Sequence, residues 1–383
     1  MRRVYADYNA TTTLDPQVLE AMLPYLREHF GNASSVHTFG REARAAIDDV
    51  RVRLANLLGA QEGEMVFTGG GTEADNMAVF GVVRARRKQG RHIITSSIEH
   101  HAVLHACQYI EKTGECEVTY LPVSRECLVD PADLCKAVRP DTVLVSIMSA
   151  NNETGTIQPV KELATICRER GLTFHTDAVQ SFGKQPVNVK DWGADLLSIA
   201  AHKFYGPKGV GALYVRRGTK LDPLLFGGSH ENDRRAGTEN VAAIVGLARA
   251  AELAIVQMGE EQGRLFELTE KLGADITQRV HGVHRNGHAR QRIGNTINFS
   301  FEGCEEEGLL LGLDLEGVAV SSGSACAVGS LEPSHVLKAM GLPHELARAA
   351  VRFSFGKGST VEDADYIMKA LERVVERLRA FST

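Results

Sequence analysis

Short, mostly apolar runs of four or five residues recur along the first two thirds of the chain, bounded by turn residues and separated by stretches with helical apolar spacing. The runs at 65–68, 92–95, 118–121, 143–147, 172–176, 196–200 and 211–215 read as strands. A first helix is expected near Asp15 and Pro16, where aspartate can cap and proline can occupy the first turn. Further helical patterns cover about 41–58, 72–87, 102–112 and 160–170. Such alternation indicates βαβ units and a mostly parallel sheet.

After about residue 250 the pattern changes. A long charged helix to about 280 is followed by an alternating strand at 295–301, a helix at 305–313 and a loop at 321–331. A strand at 350–355 and an amphipathic helix at 361–381 complete an α+β unit. The division expected is a large domain over 15–255 and a smaller one made of 1–14 with 256–383.

A chain of 383 residues, 43% hydrophobic, suits about two domains with a substantial core. Its formal net charge of -5 argues against nucleic-acid or membrane-surface partners. No uninterrupted apolar run approaches the roughly 18 residues of a membrane span, and the N-terminus lacks a signal peptide's apolar stretch, so a cytoplasmic location is expected. The 7 cysteines form no CxxC pair and no metal-ligand spacing, so neither a metal site nor a disulfide framework is expected.

Candidate chemistry gathers where the strands end, which is where open parallel sheets place their sites. His100 follows the second run, Asn151, Asn152 and Glu153 the fourth, Asp177 and Gln180 the fifth, and His202 and Lys203 the sixth. A lysine with a desolvated head loses its proton readily, and a neutral amine can form a Schiff base. The ordinary alternatives are a lysine that snorkels to water and polar residues that cap helices. Gly69, Gly70, Gly71 and Thr72 lie between a strand and a helix. There the backbone can approach an anion at the helix start, although the spacing is neither a Walker A loop nor GxGxxG. A Schiff-base lysine, a carboxylate, a stacking imidazole and a helix terminus for phosphate are together what pyridoxal 5′-phosphate requires.

Two features lie in the C-terminal unit. The stretch 321–330 is nearly all small residues and carries Cys326, whose access would make it the most reactive of the thiols. Arg352 interrupts an apolar strand and suits either a fork to a substrate carboxylate or an internal ion pair.

With these residues in place the chain resembles the cysteine desulfurases of the NifS/IscS type, within the aminotransferase superfamily of fold type I. The likeness extends over essentially the whole chain. It rests on Asp7-Tyr8-Asn9-Ala10-Thr11-Thr12, Gly71-Thr72-Glu73, Glu99-His100, Asn151-Asn152-Glu153, Asp177-Ala178-Val179-Gln180-Ser181, His202-Lys203, Arg235-Ala236-Gly237-Thr238 and Ser321 to Cys326. The resemblance implies a large domain with a mostly parallel seven-stranded sheet plus a smaller α+β domain. It implies that Lys203 holds pyridoxal 5′-phosphate and shuttles protons, that Asp177 pairs with the ring nitrogen, and that Gln180 bonds the ring's phenolic oxygen. His100 would stack on the ring and act as acid or base. Gly71, Thr72 and His202 would bind the phosphate, joined by Thr238 from the other subunit of a homodimer. Asn152 and Arg352 would hold the carboxylate of L-cysteine, and Cys326 would take its sulfur as a persulfide and pass it to an acceptor protein for iron-sulfur cluster or thio-cofactor synthesis.

The sequence departs from the family's pattern at Ala200, where a serine is usual, at Ala33 in place of a proline, at Asn232 in place of an arginine, and after Cys326 at Ala327, Val328 and Gly329. The alternatives are a selenocysteine lyase or aminotransferase on the same fold and, in a different class, a non-catalytic sulfur carrier or scaffold using Cys326.

Overall fold

The computed structural model describes residues 2–322 and 332–381. A seven-stranded sheet forms its centre, in the order Met65–Thr68, Gly211–Val215, Leu196–Ala200, Thr173–Asp177, Thr142–Ser146, His92–Ser96 and Glu117–Leu121. All seven expected strands are present within a residue of their expected limits. Only Gly211–Val215 runs antiparallel to its neighbours, so the other six point their carboxyl ends to one side. Most of these strands are buried throughout, as helices on both faces require.

The first helix, Pro16–Arg27, starts as its sequence dictates: Pro16 occupies the first turn and the Asp15 carboxylate accepts from the Gln17 N–H at 2.9 Å. Helix Gly71–Arg86 packs its apolar side against the sheet through Met77, Val79 and Val82.

A second, three-stranded antiparallel sheet of Ala350–Ser354, Thr296–Phe301 and Val283–Asn286 lies under Val361–Phe381. Its core includes Val4 and Ala6, because the strand Val4–Tyr5 pairs in parallel with Val318–Ala319. The short strands and the helices His335–Ala339 and His344–Ala347 had no clear signature, being too brief to show a period.

The change of pattern near residue 250 is not a break in the backbone. One helix, Val241–Arg279, runs through it. Its first half buries Ile244, Leu247 and Ala251 in the core beside the large sheet, and its second half buries Leu265, Leu272 and Ile276 in the other core. The charge pattern shifts because the packing partner shifts. One 18-residue window of this helix has a mean hydropathy of 1.7, enough by composition to cross a membrane, yet 56% of it is buried inside the fold.

Candidate active site

The carboxyl ends of the parallel strands open onto a cavity of about 290 Å³. Lys203, Asp177, His100, Gly71, Thr72, His202, Gln180, Asn152 and Arg352 all line it. These residues are far apart in sequence, and the sheet brings them to one place.

Lys203 ends a single 3-10 turn, Ala201–Lys203, directly after its strand. Two residues later Tyr205 adopts a left-handed conformation, φ 67°, which is costly for a bulky side chain. Its N–H donates to Thr12 Oγ1 at 2.8 Å, and its hydroxyl accepts from the Lys357 N–H at 2.7 Å. The turn is thereby held from the N-terminal segment and from the second core. Lys203 Nζ donates to the carbonyl oxygens of Asn9 and Ala10 at 2.6 and 2.9 Å.

Asp177 closes its strand fully enclosed, and burial pushes its carboxyl up to about 6 against the Val179 N–H and Lys203. A second buried carboxylate, Asp75, comes from the helix Gly71–Arg86, and burial with the charge of Asp177 holds its affinity for a proton well above the usual range. Among the described residues its Oδ1 has no hydrogen-bond partner, although His175 Nε2 lies 3.6 Å away. Burial pushes His175 down to about 3, so this contact is not an ion pair. Its ring is held between Ser146 Oγ at 2.8 Å and Ser198 Oγ at 3.0 Å.

His100 caps the helix His101–Lys112, its Nδ1 accepting from the Ala102 N–H at 3.1 Å. Burial, with Lys203 nearby, pushes its imidazole down to about 4. At neutral pH the ring is therefore uncharged, and its proton sits on Nε2. Burial and the lysines 203, 208 and 184 likewise push His202 down to about 4.

At the other end of the cavity the helix Gly71–Arg86 points its N-terminus inward. The first N–H groups of a helix lack intrahelical acceptors and carry partial positive charge. A Cβ added at Gly71 would lie 2.8 Å from Val179 Cγ2, so a larger residue there would force the Val179 side chain to shift. Ala200 lines the same end and offers only a methyl group.

Arg352 is buried, ion-paired through Nη2 with Asp7 at 2.6 Å and donating from Nη1 to the Asn152 carbonyl at 2.9 Å. The internal ion pair allowed by the sequence exists, and the arginine also lines the cavity. Thr238 is not among the residues lining this chain's cavity. It is exposed on the loop that an Arg235–Glu73 ion pair of 2.8 Å ties to the helix start. Asn232, on the same loop, has φ 55°, which asparagine tolerates better than arginine does. Cys326 lies outside the described residues.

Sequence reasoning missed the residue that joins the parts. Asn9 accepts on its carbonyl from Lys203 and from Gln180 Nε2 at 3.0 Å, accepts on Oδ1 from Asn295 at 3.0 Å, and donates from Nδ2 to Thr296 Oγ1 at 2.8 Å. It lay inside a quoted motif, but no local pattern marked it as a hub. Asp75 and Lys184 were missed for the same reason.

The model of the family described as "Aminotransferase class-V" matches residues 4–367. The chain belongs to this family, in its cysteine desulfurase branch. It is 56% identical over 381 residues to a cysteine desulfurase IscS of Dictyoglomus turgidum, covering 100% of this chain and 96% of the relative. It is 50% identical to a cysteine desulfurase IscS of Methanosarcina thermophila, covering 100% and 94%. Among solved structures, one titled "NIFS-LIKE PROTEIN" superposes with a TM-score of 0.92 at 38% identity, covering 98% of this chain and 100% of the other. The mostly parallel seven-stranded sheet is the architecture of this fold-type-I class.

The cavity's donor set fits pyridoxal phosphate. A carboxylate and an amine line one cavity, a glycine-led helix terminus faces it, and a buried carboxylate oxygen without a hydrogen-bond partner among the described residues belongs to Asp75 in its lining.

Proposed function

We propose that this chain is a pyridoxal-phosphate-dependent cysteine desulfurase that converts L-cysteine to L-alanine and leaves the sulfur as a persulfide on Cys326. The observation that carries the reading is the convergence of Lys203, Asp177 and His100 on one cavity in a chain 56% identical to a cysteine desulfurase. When bound, the cofactor would supply an electron sink for cleavage beside the substrate's α-carbon.

The chain's own residues do the rest. Lys203 bonds the cofactor and moves protons at its Nζ. Asp177 would pair with the ring nitrogen, and Gln180 would donate an N–H to the ring oxygen. Thr72, the Gly71 amide and His202 hold the phosphate, joined by Thr238 of a second subunit in a homodimer, consistent with the exposure of that loop. Neutral His100, with its proton on Nε2, would stack on the ring and assist as acid or base. Asn152 and the Asp7-anchored Arg352 take the substrate carboxylate. Overall the substrate's C–S bond breaks, its sulfur joins Cys326 Sγ, and the carbon skeleton is protonated to alanine. An acceptor protein then removes the sulfur.

In this reading residues 15–255 form the large cofactor domain, residues 1–14 with 256–383 form the small one, and the enzyme works in the cytoplasm. Borohydride treatment of the protein mixed with pyridoxal phosphate tests the cofactor assignment. Peptide mass spectrometry should find a pyridoxyl group fixed on Lys203, and its absence there, or its presence on another lysine, would refute the assignment.

A further inference from the structure

Lys184 sits behind Lys203 and has no role in the reading above. It is partly buried and lines a separate small cavity of about 30 Å³ together with Lys203. The ammonium donates to Gln180 Oε1 at 3.0 Å and to Asn9 Oδ1 at 3.2 Å. Among the described residues no carboxylate lies within ion-pair reach of it. The charged groups around it are already committed or of the same sign. Lys203 and Arg352 are cations, Arg352 is matched by Asp7, Glu261 by Arg264, and Lys357 by Asp15. Burial and those two cations push Lys184 down to about 7. A lysine kept in such surroundings is a poor stabiliser of the fold.

Its bonds have a directional consequence. In its charged form the lysine head has N–H donors and no acceptor, so the atom of Gln180 facing it is the carbonyl oxygen. The amide nitrogen then lies on the other side, where it donates to the same Asn9 carbonyl oxygen that accepts from Lys203, and Gln180 lines the main cavity with Lys203. Asn9 is fixed in the same way, with Oδ1 toward Lys184 and Asn295 and Nδ2 toward Thr296. We propose that Lys184 is a positioning residue: it locks the Gln180 side-chain amide so that its N–H side, and not its carbonyl side, is presented to the cofactor's ring oxygen. The proposal rests on reading the cavity as a pyridoxal phosphate site.

A double-mutant cycle tests it, with the dissociation constant of pyridoxal phosphate measured by titrating the cofactor-stripped protein. Lys184→Met should weaken binding roughly fivefold, the value of one hydrogen bond, in the otherwise unchanged protein. In a Gln180→Ala background the same substitution should change binding by less than about twofold, because the group it orients is gone. The melting temperature of Lys184→Met should be unchanged or raised. An equal loss in both backgrounds, or no loss in either, overturns the proposal. Lys184→Leu serves as a second variant, and if neither variant folds, Lys184 is structural and the proposal fails. A starting protein that does not bind pyridoxal phosphate would instead refute the cofactor reading beneath it, before any variant is compared.

Discussion

The cavity has two walls of different origin. The sheet wall, with Lys203, Asp177, His100 and the start of helix Gly71–Arg86, is made of residues that each end a strand or follow one within a few positions. The opposite wall, with Arg352 and the segment 7–12, is assembled by contacts between parts of the chain hundreds of residues apart. The sheet wall supplies groups whose chemistry is set by burial. The other wall supplies an ion pair and a hydrogen-bond hub that hold the first in place. Changes on the sheet wall should therefore remove activity with little change in stability, and changes on the opposite wall should affect both.

The largest contrast is expected from Lys203→Ala. Alanine formation from L-cysteine should fall by at least about a thousandfold, with a melting curve close to that of the starting protein. A loss of the same size with a collapsed melting curve would erase the distinction between the walls.

Arg352→Met addresses the other wall. It leaves the Asp7 carboxylate without its buried partner, and breaking such a pair costs about 3 kcal/mol or more. Denaturant unfolding should show that loss together with a raised KM for L-cysteine, and an unchanged midpoint would show that Arg352 is not part of the frame.

Glu99 sharpens the comparison through pH. It is enclosed behind His100, accepts from the Met148 N–H at 3.0 Å, and is pushed by burial up to about 8. Because its folded affinity for a proton exceeds its unfolded one, the folded state keeps the proton while the unfolded state releases it. Its contribution to stability is greatest below about 4.5 and is lost as pH rises through about 8. Relative to Glu99→Gln, the starting protein should lose melting temperature steadily between these limits, and parallel curves would contradict the assignment.

The smallest effect is expected from Ala200→Ser. A hydroxyl restored beside Gly71 and Thr72 should tighten pyridoxal phosphate binding by roughly fivefold or less, the value of one added hydrogen bond. No change in the titrated dissociation constant would mean that position 200 does not face the phosphate.

The two walls also differ in how far the sequence reveals them. Strands announce themselves by short apolar runs, and in a parallel sheet their carboxyl ends point one way, so residues such as Asp177 and Lys203 can be gathered without coordinates. Asn9, Asp75 and Lys184 carry no such mark. The importance of Asn9 comes from partners at 152, 180, 184, 203, 295 and 296, a set of long-range contacts that no local period encodes. The helix Val241–Arg279 shows the converse, a change of pattern without a break in the backbone. Its surface pattern changes near 255 because its neighbours change, while its backbone continues. Pattern reports what a segment packs against, and only secondarily where a unit ends.

The most direct test of the account is to supply the purified, pyridoxal-phosphate-loaded protein with L-cysteine, quantify alanine with and without a thiol reductant, and map the protein's peptides by mass spectrometry. The account predicts alanine in an amount limited by the enzyme without reductant and continuous turnover with it, together with one added sulfur on the peptide containing Cys326. Alanine formed catalytically with no sulfur on that peptide, or the same turnover from Cys326→Ala, would contradict it.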